Sequence, residues 1–204
     1  LQDIGVRYYT YLSTLTYILE AAAENGISVI LLDRLNPLGR DIVGSIIEEK
    51  AKSFIGIHPL PVRHGMTLGE LAQMINGEGW LTNGIQTELS IIKYVGKNDK
   101  TVRVNAFNPP PSPNMQDLET AWLYQGLCLL EGTNLSEGRG TDTPFKLLGA
   151  PWLDAQKLFQ TLQKINKSKN EFKVIRFTPQ SISASKYPKY EGEKCLGLRI
   201  NNLE

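Results

Sequence analysis

The chain has 204 residues and a mass of 22.8 kDa, enough for one large domain or about one and a half average ones. Hydrophobic residues make up 41% and charged residues 21%, with 22 Lys+Arg against 21 Asp+Glu, a balance that excludes wholesale disorder and leaves no basic surplus for gripping a nucleic-acid backbone. Two cysteines and two histidines supply neither a disulfide framework nor a zinc spacing, so no metal is expected, and no run approaches the ~18 apolar residues of a membrane span.

The opening Leu1-Gln2-Asp3-Ile4-Gly5 has no cap and no polar lead-in; it reads like the end of a strand, and residue 1 is expected to fall inside a domain. From Tyr11 to Glu24 the apolar positions Leu12, Leu15, Ile18, Leu19 and Ala22 recur at helical spacing, and Asn25-Gly26 supplies a left-handed stop. Ile27 to Leu32 is a short β-branched run without polar alternation, the pattern of a parallel strand buried on both faces. Asp33-Arg34 follows at its carboxyl end, where open α/β sheets bind ligands. The pair reads equally as an ion pair within the domain. Asn36-Pro37-Leu38-Gly39 is a turn, and the stretch to Pro61 reads as a long ordered loop with short strands.

Thr67-Leu68-Gly69-Glu70 matches a capping box and opens a helix with Leu68, Leu71, Met74 and Ile75 inward, ending at Gly77-Glu78-Gly79. Leu89 to Val95 is a second strand, which makes the first 107 residues α/β with parallel character. Four prolines in Asn108-Pro109-Pro110-Pro111-Ser112-Pro113 form a stiff connector and mark the expected boundary between domains 1–107 and 108–204.

In the second segment Asn114 is placed to cap a helix through about Tyr124. Pro151 stands at the start of another helix, with Ala155, Leu158, Phe159, Leu162 and Ile165 on one face. Phe172–Thr178 and Cys195–Ile200 read as strands, the last without a visible partner, and the Lys- and Asn-rich stretch Lys164–Lys173 reads as a solvated turn. This domain is α/β or α+β.

The least generic segment is Glu131-Gly132-Thr133-Asn134-Leu135-Ser136-Glu137-Gly138-Arg139-Gly140-Thr141. Its glycines, carboxylates, arginine and hydroxyls suit a loop that brings backbone amides and a guanidinium to a polar ligand. They equally suit a turn-rich loop that satisfies its own backbone. It is no Walker loop, because no Gly-Lys-Ser/Thr closes it. Arg7-Tyr8-Tyr9-Thr10-Tyr11 suits either sugar contact or packing at a helix start. His64 precedes a helix amino terminus and reads as either ligand-facing or structural; Glu70 reads as a cap. No nucleophile elbow is present, and neither cysteine has a catalytic context. Carboxylate chemistry or binding remains, with Asp3, Asp33, Glu131 and Glu137 as the acids to hand.

Several of these strings occur in the order found in one family. Asp3-Ile4-Gly5-Val6-Arg7-Tyr8-Tyr9-Thr10-Tyr11, Leu32-Asp33-Arg34-Leu35-Asn36-Pro37, His64-Gly65-Met66-Thr67-Leu68-Gly69-Glu70-Leu71-Ala72, Pro110-Pro111-Ser112-Pro113-Asn114, and Glu131–Thr141 with Pro144-Phe145 and Gly149-Ala150-Pro151-Trp152 together resemble the YbbC-like, NamZ-type exo-β-N-acetylmuramidases. The resemblance implies an incomplete Rossmann-like parallel-sheet domain followed by a smaller auxiliary C-terminal domain. It implies an exported glycosidase of peptidoglycan recycling, periplasmic or secreted, that releases N-acetylmuramic acid from non-reducing ends, without cofactor.

By the same resemblance Arg7, Tyr8, Asp33, Arg34, His64, Asn134 and Arg139 would bind substrate in a cleft between the domains, and Glu131 and Asp3 are the in-chain acid candidates. An arginine suits the lactyl carboxylate of muramic acid, which its fork matches bidentately. Family members carry a further segment before the position of Asp3, with the first strands and a Pro-Glu-His-Gly motif whose glutamate is a further acid candidate. The stretch Tyr94–Asn108 and the C-terminal domain are expected to be shortened. A non-catalytic cell-wall sugar-binding protein is the alternative, and a nucleotide-binding domain using Gly138-Arg139-Gly140 a distant third.

Overall fold

A computed structural model describes residues 1–94, 107, 109–165 and 171–201. The chain forms two compact units, Leu1–Asn105 and Ala106–Glu204. The expected strand end at Val95, most of the Tyr94–Asn108 stretch and the middle of the Lys164–Lys173 turn lie outside the described residues.

In the first unit α1 (Tyr11–Glu24) buries Leu12, Leu15 and Leu19 on one stripe, as its spacing dictates, and Gly26 at φ +63° ends it. Strand β1 (Val29–Leu32) follows, then the long loop. Helix α2 (Leu68–Gly77) starts at a true capping box: the Thr67 side chain accepts the Glu70 amide at 3.1 Å, and the Thr67 amide donates to Glu70 Oε2 at 2.9 Å. Strand β2 (Leu89–Ile92) pairs in parallel with β1, Val29 opposite Leu89 and Leu32 opposite Ile92.

One core results. Leu12, Leu15, Leu19, Leu60, Leu71, Ala72, Ile75 and Leu81 are buried together, and Val29, Leu31, Leu89 and Ile91 pack onto them from the sheet. The opposite sheet face is bare: Ile30 is 69% exposed, Leu32 72% and Ile92 55%. This corrects the expectation of a strand buried on both faces. An unbroken apolar run shows that both faces are greasy, and whether a second layer covers the far face is a tertiary fact.

Polar groups also tie α1 to the loop. Ser13 Oγ donates to the Phe54 carbonyl at 2.5 Å, and Thr16 Oγ1 lies 2.9 Å from His58 Nε2 while its own proton goes to Leu12 O. Thr16 therefore accepts from His58, which leaves Nδ1 unprotonated.

In the second unit α3 (Leu118–Leu127) is capped by Asp117, whose side chain accepts the Thr120 amide at 2.8 Å. The expected cap Asn114 instead donates to Ala184 O at 3.0 Å. The carboxylate three residues on outcompetes the amide because it also takes the Thr120 hydroxyl and the Lys146 ammonium, each at 2.8 Å. Hydrogen bonds from Lys146 and Thr120 outweigh the upward pull of burial and hold the Asp117 carboxyl below its ordinary range.

Strand β3 (Leu147–Ala150) is followed by α4 (Ala155–Ile165), whose first turn is closed by Asp154 accepting from Lys157 N at 2.9 Å; the helix starts four residues past Pro151, which sits in a turn. Strands β4 (Glu171–Phe177) and β5 (Cys195–Asn201) complete an antiparallel sheet of order β3-β5-β4. The strand that lacked a visible partner in sequence is thus the central one. Gly149 and Gly197 face each other across it, and a Cβ on Gly149 would come within 2.7 Å of the Phe177 ring, a close approach only glycine permits. Both cysteines are free thiols. Among the described residues no helix is long and apolar enough to cross a membrane, and no group of three or more His, Cys, Asp or Glu is placed to hold a metal ion.

Two measurements check this architecture. Leu19→Ala, in the buried stripe, should cost about 2–5 kcal/mol in urea unfolding, and Leu32→Ser, on the bare face, about 0.5 kcal/mol or less. Burial first, and the Lys52 charge second, push the His58 imidazole down from 6.5 to about 4. The unfolded chain then takes up the proton first, so stability present above pH 6.5 is lost as pH falls from 6.5 to about 4. The melting temperature of a His58→Gln variant should fall less steeply across that window.

Candidate functional site

In the first unit the candidates gather where β1 ends and α2 begins. Asp33, the first residue after β1, accepts from Gly69 N at 2.8 Å and Arg34 N at 2.9 Å through Oδ1, and from the Thr67 hydroxyl at 2.7 Å through Oδ2. One carboxylate thus closes the positive end of α2 onto the end of β1. Gly69 is required here, because a Cβ would stand 2.6 Å from Asp33 Cγ. Glu70 completes the joint through Arg40, whose Nη1 donates to both carboxylate oxygens at 2.7 and 2.5 Å. Burial pulls the Glu70 carboxyl up, and the bonds from Arg40 and Thr67 outweigh it and hold it low.

Asp33 and Arg34 do not pair through their side chains. The Arg34 guanidinium is exposed and donates from Nη1 to Gln2 Oε1 at 2.8 Å. It borders a small pocket lined also by Gln2, Asp3, Asn36, Met66 and Thr67. This is the crevice outside a strand's carboxyl end that the topology singles out.

Asp3 and His64 come together below it. The His64 side chain is fully buried, its Nδ1 accepts the Met66 amide at 3.2 Å, and its Nε2 stands 3.2 Å from Asp3 Oδ2. Accepting at Nδ1 places the ring proton on Nε2, facing the carboxylate. The same Asp3 oxygen accepts the Gly5 amide at 2.8 Å. The two side chains lie against each other, closed off from solvent, and Nε2 makes no hydrogen bond with the carboxylate. Arg7 is buried and spends Nη1 on the carbonyls of Leu60 and, at 2.9 Å, Ser45, and so pins the long loop. Tyr8 is half-buried beside it.

In the second unit Glu131 and Arg139 come together, while Asn134 is held through its backbone carbonyl. Arg139 donates to Glu131 Oε1 at 2.8 Å, its Nε lies 3.5 Å from Glu137 Oε1, and its guanidinium sits 5.1 Å over the Phe145 ring. Glu137 is 3% exposed and lies between two cations, Arg139 and Lys189, the latter 3.2 Å from Oε2. Lys189 Nζ also donates to the carbonyls of Leu130 at 2.8 Å, Glu131 at 3.1 Å and Leu135 at 2.9 Å. Tyr190 donates to Asn134 O at 2.7 Å.

Some of the loop's backbone is met by its own side chains, Leu135 N by Thr133 Oγ1 at 3.1 Å and Gly138 N by Ser136 Oγ at 3.3 Å, while the carbonyls converge on the Lys189 ammonium from outside it. Burial lifts the Cys128 thiol to about 11, with the Tyr124 hydrogen bond opposing and Glu131 adding to the rise. It is a poor nucleophile there. Asp3 and Glu131 belong to different units. Lys189 and Tyr190, which organise the loop, carried no sequence signal: they lie about fifty residues downstream in an unremarkable Tyr-Pro-Lys-Tyr string.

Removing the Asp33 carboxylate leaves the Gly69 amide at the α2 amino terminus without its acceptor. Asp33→Ala should cost about 2 kcal/mol in urea unfolding, and Asp33→Asn, which keeps one acceptor oxygen, about half that.

A family model described as "Exo-beta-N-acetylmuramidase NamZ, N-terminal" matches residues 1–119, and its C-terminal counterpart matches residues 122–204. A Bacillus subtilis (strain 168) protein named "Peptidoglycan beta-N-acetylmuramidase NamZ" is 40% identical over 203 residues, covering 98% of this chain and 47% of that protein. Two crystal structures of DUF1343 family proteins from Bacteroides fragilis NCTC 9343 superpose with TM-scores of 0.81 and 0.83 at 36% and 31% identity, each covering all of this chain and 52% of the other. The chain spans about half the length of these relatives.

Proposed function

The chain belongs to the exo-beta-N-acetylmuramidase NamZ family, and from that premise we propose that it is part of a peptidoglycan glycosidase that releases N-acetylmuramic acid from the non-reducing ends of cell-wall fragments. The observation that carries the reading is the 40% identity to the Bacillus subtilis enzyme, sustained over 203 residues. The proposal includes an exported location, where such fragments arise, and a Rossmann-like sheet of which β1 and β2 are two strands; the bare apolar face of Ile30, Leu32 and Ile92 supports the latter.

The environments of the arginines refine the substrate contact. Arg7 is buried against backbone carbonyls and Arg139 is paired with Glu131, whereas the exposed Arg34 has only the neutral Gln2 amide as side-chain partner. Arg34 is therefore our candidate for the lactyl carboxylate, with Asn36 and Thr67 beside it and the Asp3–His64 pair holding the floor. A second reading, a cell-wall sugar binder without turnover, is favoured by the state of the two acids. Asp3 is buried against His64 and Glu131 is ion-paired, so neither is set out as a free proton donor.

A chromogenic β-N-acetylmuramide distinguishes the two, assayed on the 204-residue chain and on a chain of the relatives' full length. Hydrolysis by the longer chain is expected. Arg34→Ala in it should raise KM about tenfold or more with little change in kcat, and Glu131→Gln should lower kcat about a hundredfold if Glu131 moves the proton. Tight binding with no chromophore release from either chain would replace the hydrolase reading by the binder.

A further inference from the structure

A cavity of the first unit lies away from the strand ends, against the middle of α1. It measures about 300 Å³ and is lined by Thr16, Tyr17, Glu20, Lys52, His58 and Trp80 among others. That volume is at the lower end of small-molecule sites. No local motif marks this constellation, since its members come from α1, the long loop and the segment after α2.

We propose that this cavity is a binding site for one pyranose ring. The inference stands on the lining alone and does not depend on the hydrolase reading. Tyr17 and Trp80 bring aromatic surface, which suits the C–H faces of a sugar. The polar groups bring both kinds of hydrogen-bond partner. The Nε2 of His58 is committed to Thr16, and Nδ1 is an acceptor with no hydrogen bond among the described residues, to which a ligand hydroxyl can donate. Burial and Lys52 keep the ring neutral, so the lone pair is available at ordinary pH.

Glu20 uses Oε1 to accept the Thr82 amide at 2.9 Å, which fixes the carboxylate and leaves Oε2 as a second acceptor. Lys52, held 2.7 Å from Glu49, is the donor. Hydroxyl groups give and accept protons, and this set answers both. Charge argues the same way. Glu20 opposes an anionic ligand and Lys52 a cationic one, so a neutral polyol is the class that neither repels.

The experiment is a titration of the uniformly ¹⁵N-labelled 204-residue chain with N-acetylglucosamine, followed by amide and indole shifts. Saturating shifts confined to residues 16–20, 52–58 and 80–82, with a dissociation constant on the order of 1 mM, are expected. Glu20→Ala and Lys52→Met, both on the rim, should each weaken binding at least fivefold while leaving the rest of the spectrum in place. An absence of saturating shifts at roughly ten times that concentration overturns the proposal. So does equal binding of open-chain mannitol, which lacks the ring face, or full affinity in both variants.

Discussion

Much of the first unit hangs on a single carboxylate. Asp33 receives two backbone amides and one hydroxyl at the point where β1 stops and α2 starts. It thereby fixes the direction of α2, whose Leu71, Ala72 and Ile75 complete the core with α1. The capping box meets the Thr67 and Glu70 amides, and Asp33 meets the Gly69 amide with a carboxylate, a strong partner for a helix end. The absence of a side chain at Gly69 and the Thr67 hydroxyl are consequences of that contact. The crevice beside Arg34 borders this joint, with Asn36, Met66 and Thr67 in its lining.

The second unit solves a related problem differently. Its glycine-rich loop has carbonyls to satisfy, and the Lys189 ammonium collects three of them while neutralising the buried Glu137 together with Arg139. A buried carboxylate between two cations is costly to disturb at any one member. Hence the loop is rigidly specified, and its arginine is committed to Glu131 and Glu137 before any ligand arrives. The two units thus use charge to organise backbone, and in each the residue with chemistry to spare is one that the scaffold does not need. In the first unit that residue is Arg34 at the strand end, together with the unmatched His58 nitrogen in the cavity beside α1.

Motif order and local patterns in the sequence determined the family, the α1 boundaries, the α2 capping box, the parallel character of the first unit and the place of Asp33 just after β1. Each is a local matter: a period, a cap or a short string decides it within a few residues. Tertiary structure alone decided what the side chains do. The partners of β5, the central strand, lie 18 or more residues upstream, beyond the reach of any local pattern. β1 has one bare face because burial depends on what is packed above it. Asp117 displaced Asn114 as a cap because Lys146 arrives from a later turn. Arg7, Arg34 and Arg139 read alike in one dimension, and only their surroundings assign the first to a loop, the last to an ion-pair network and the middle one to solvent. Charge partners are chosen by distance in space, and a sequence records only distance along the chain.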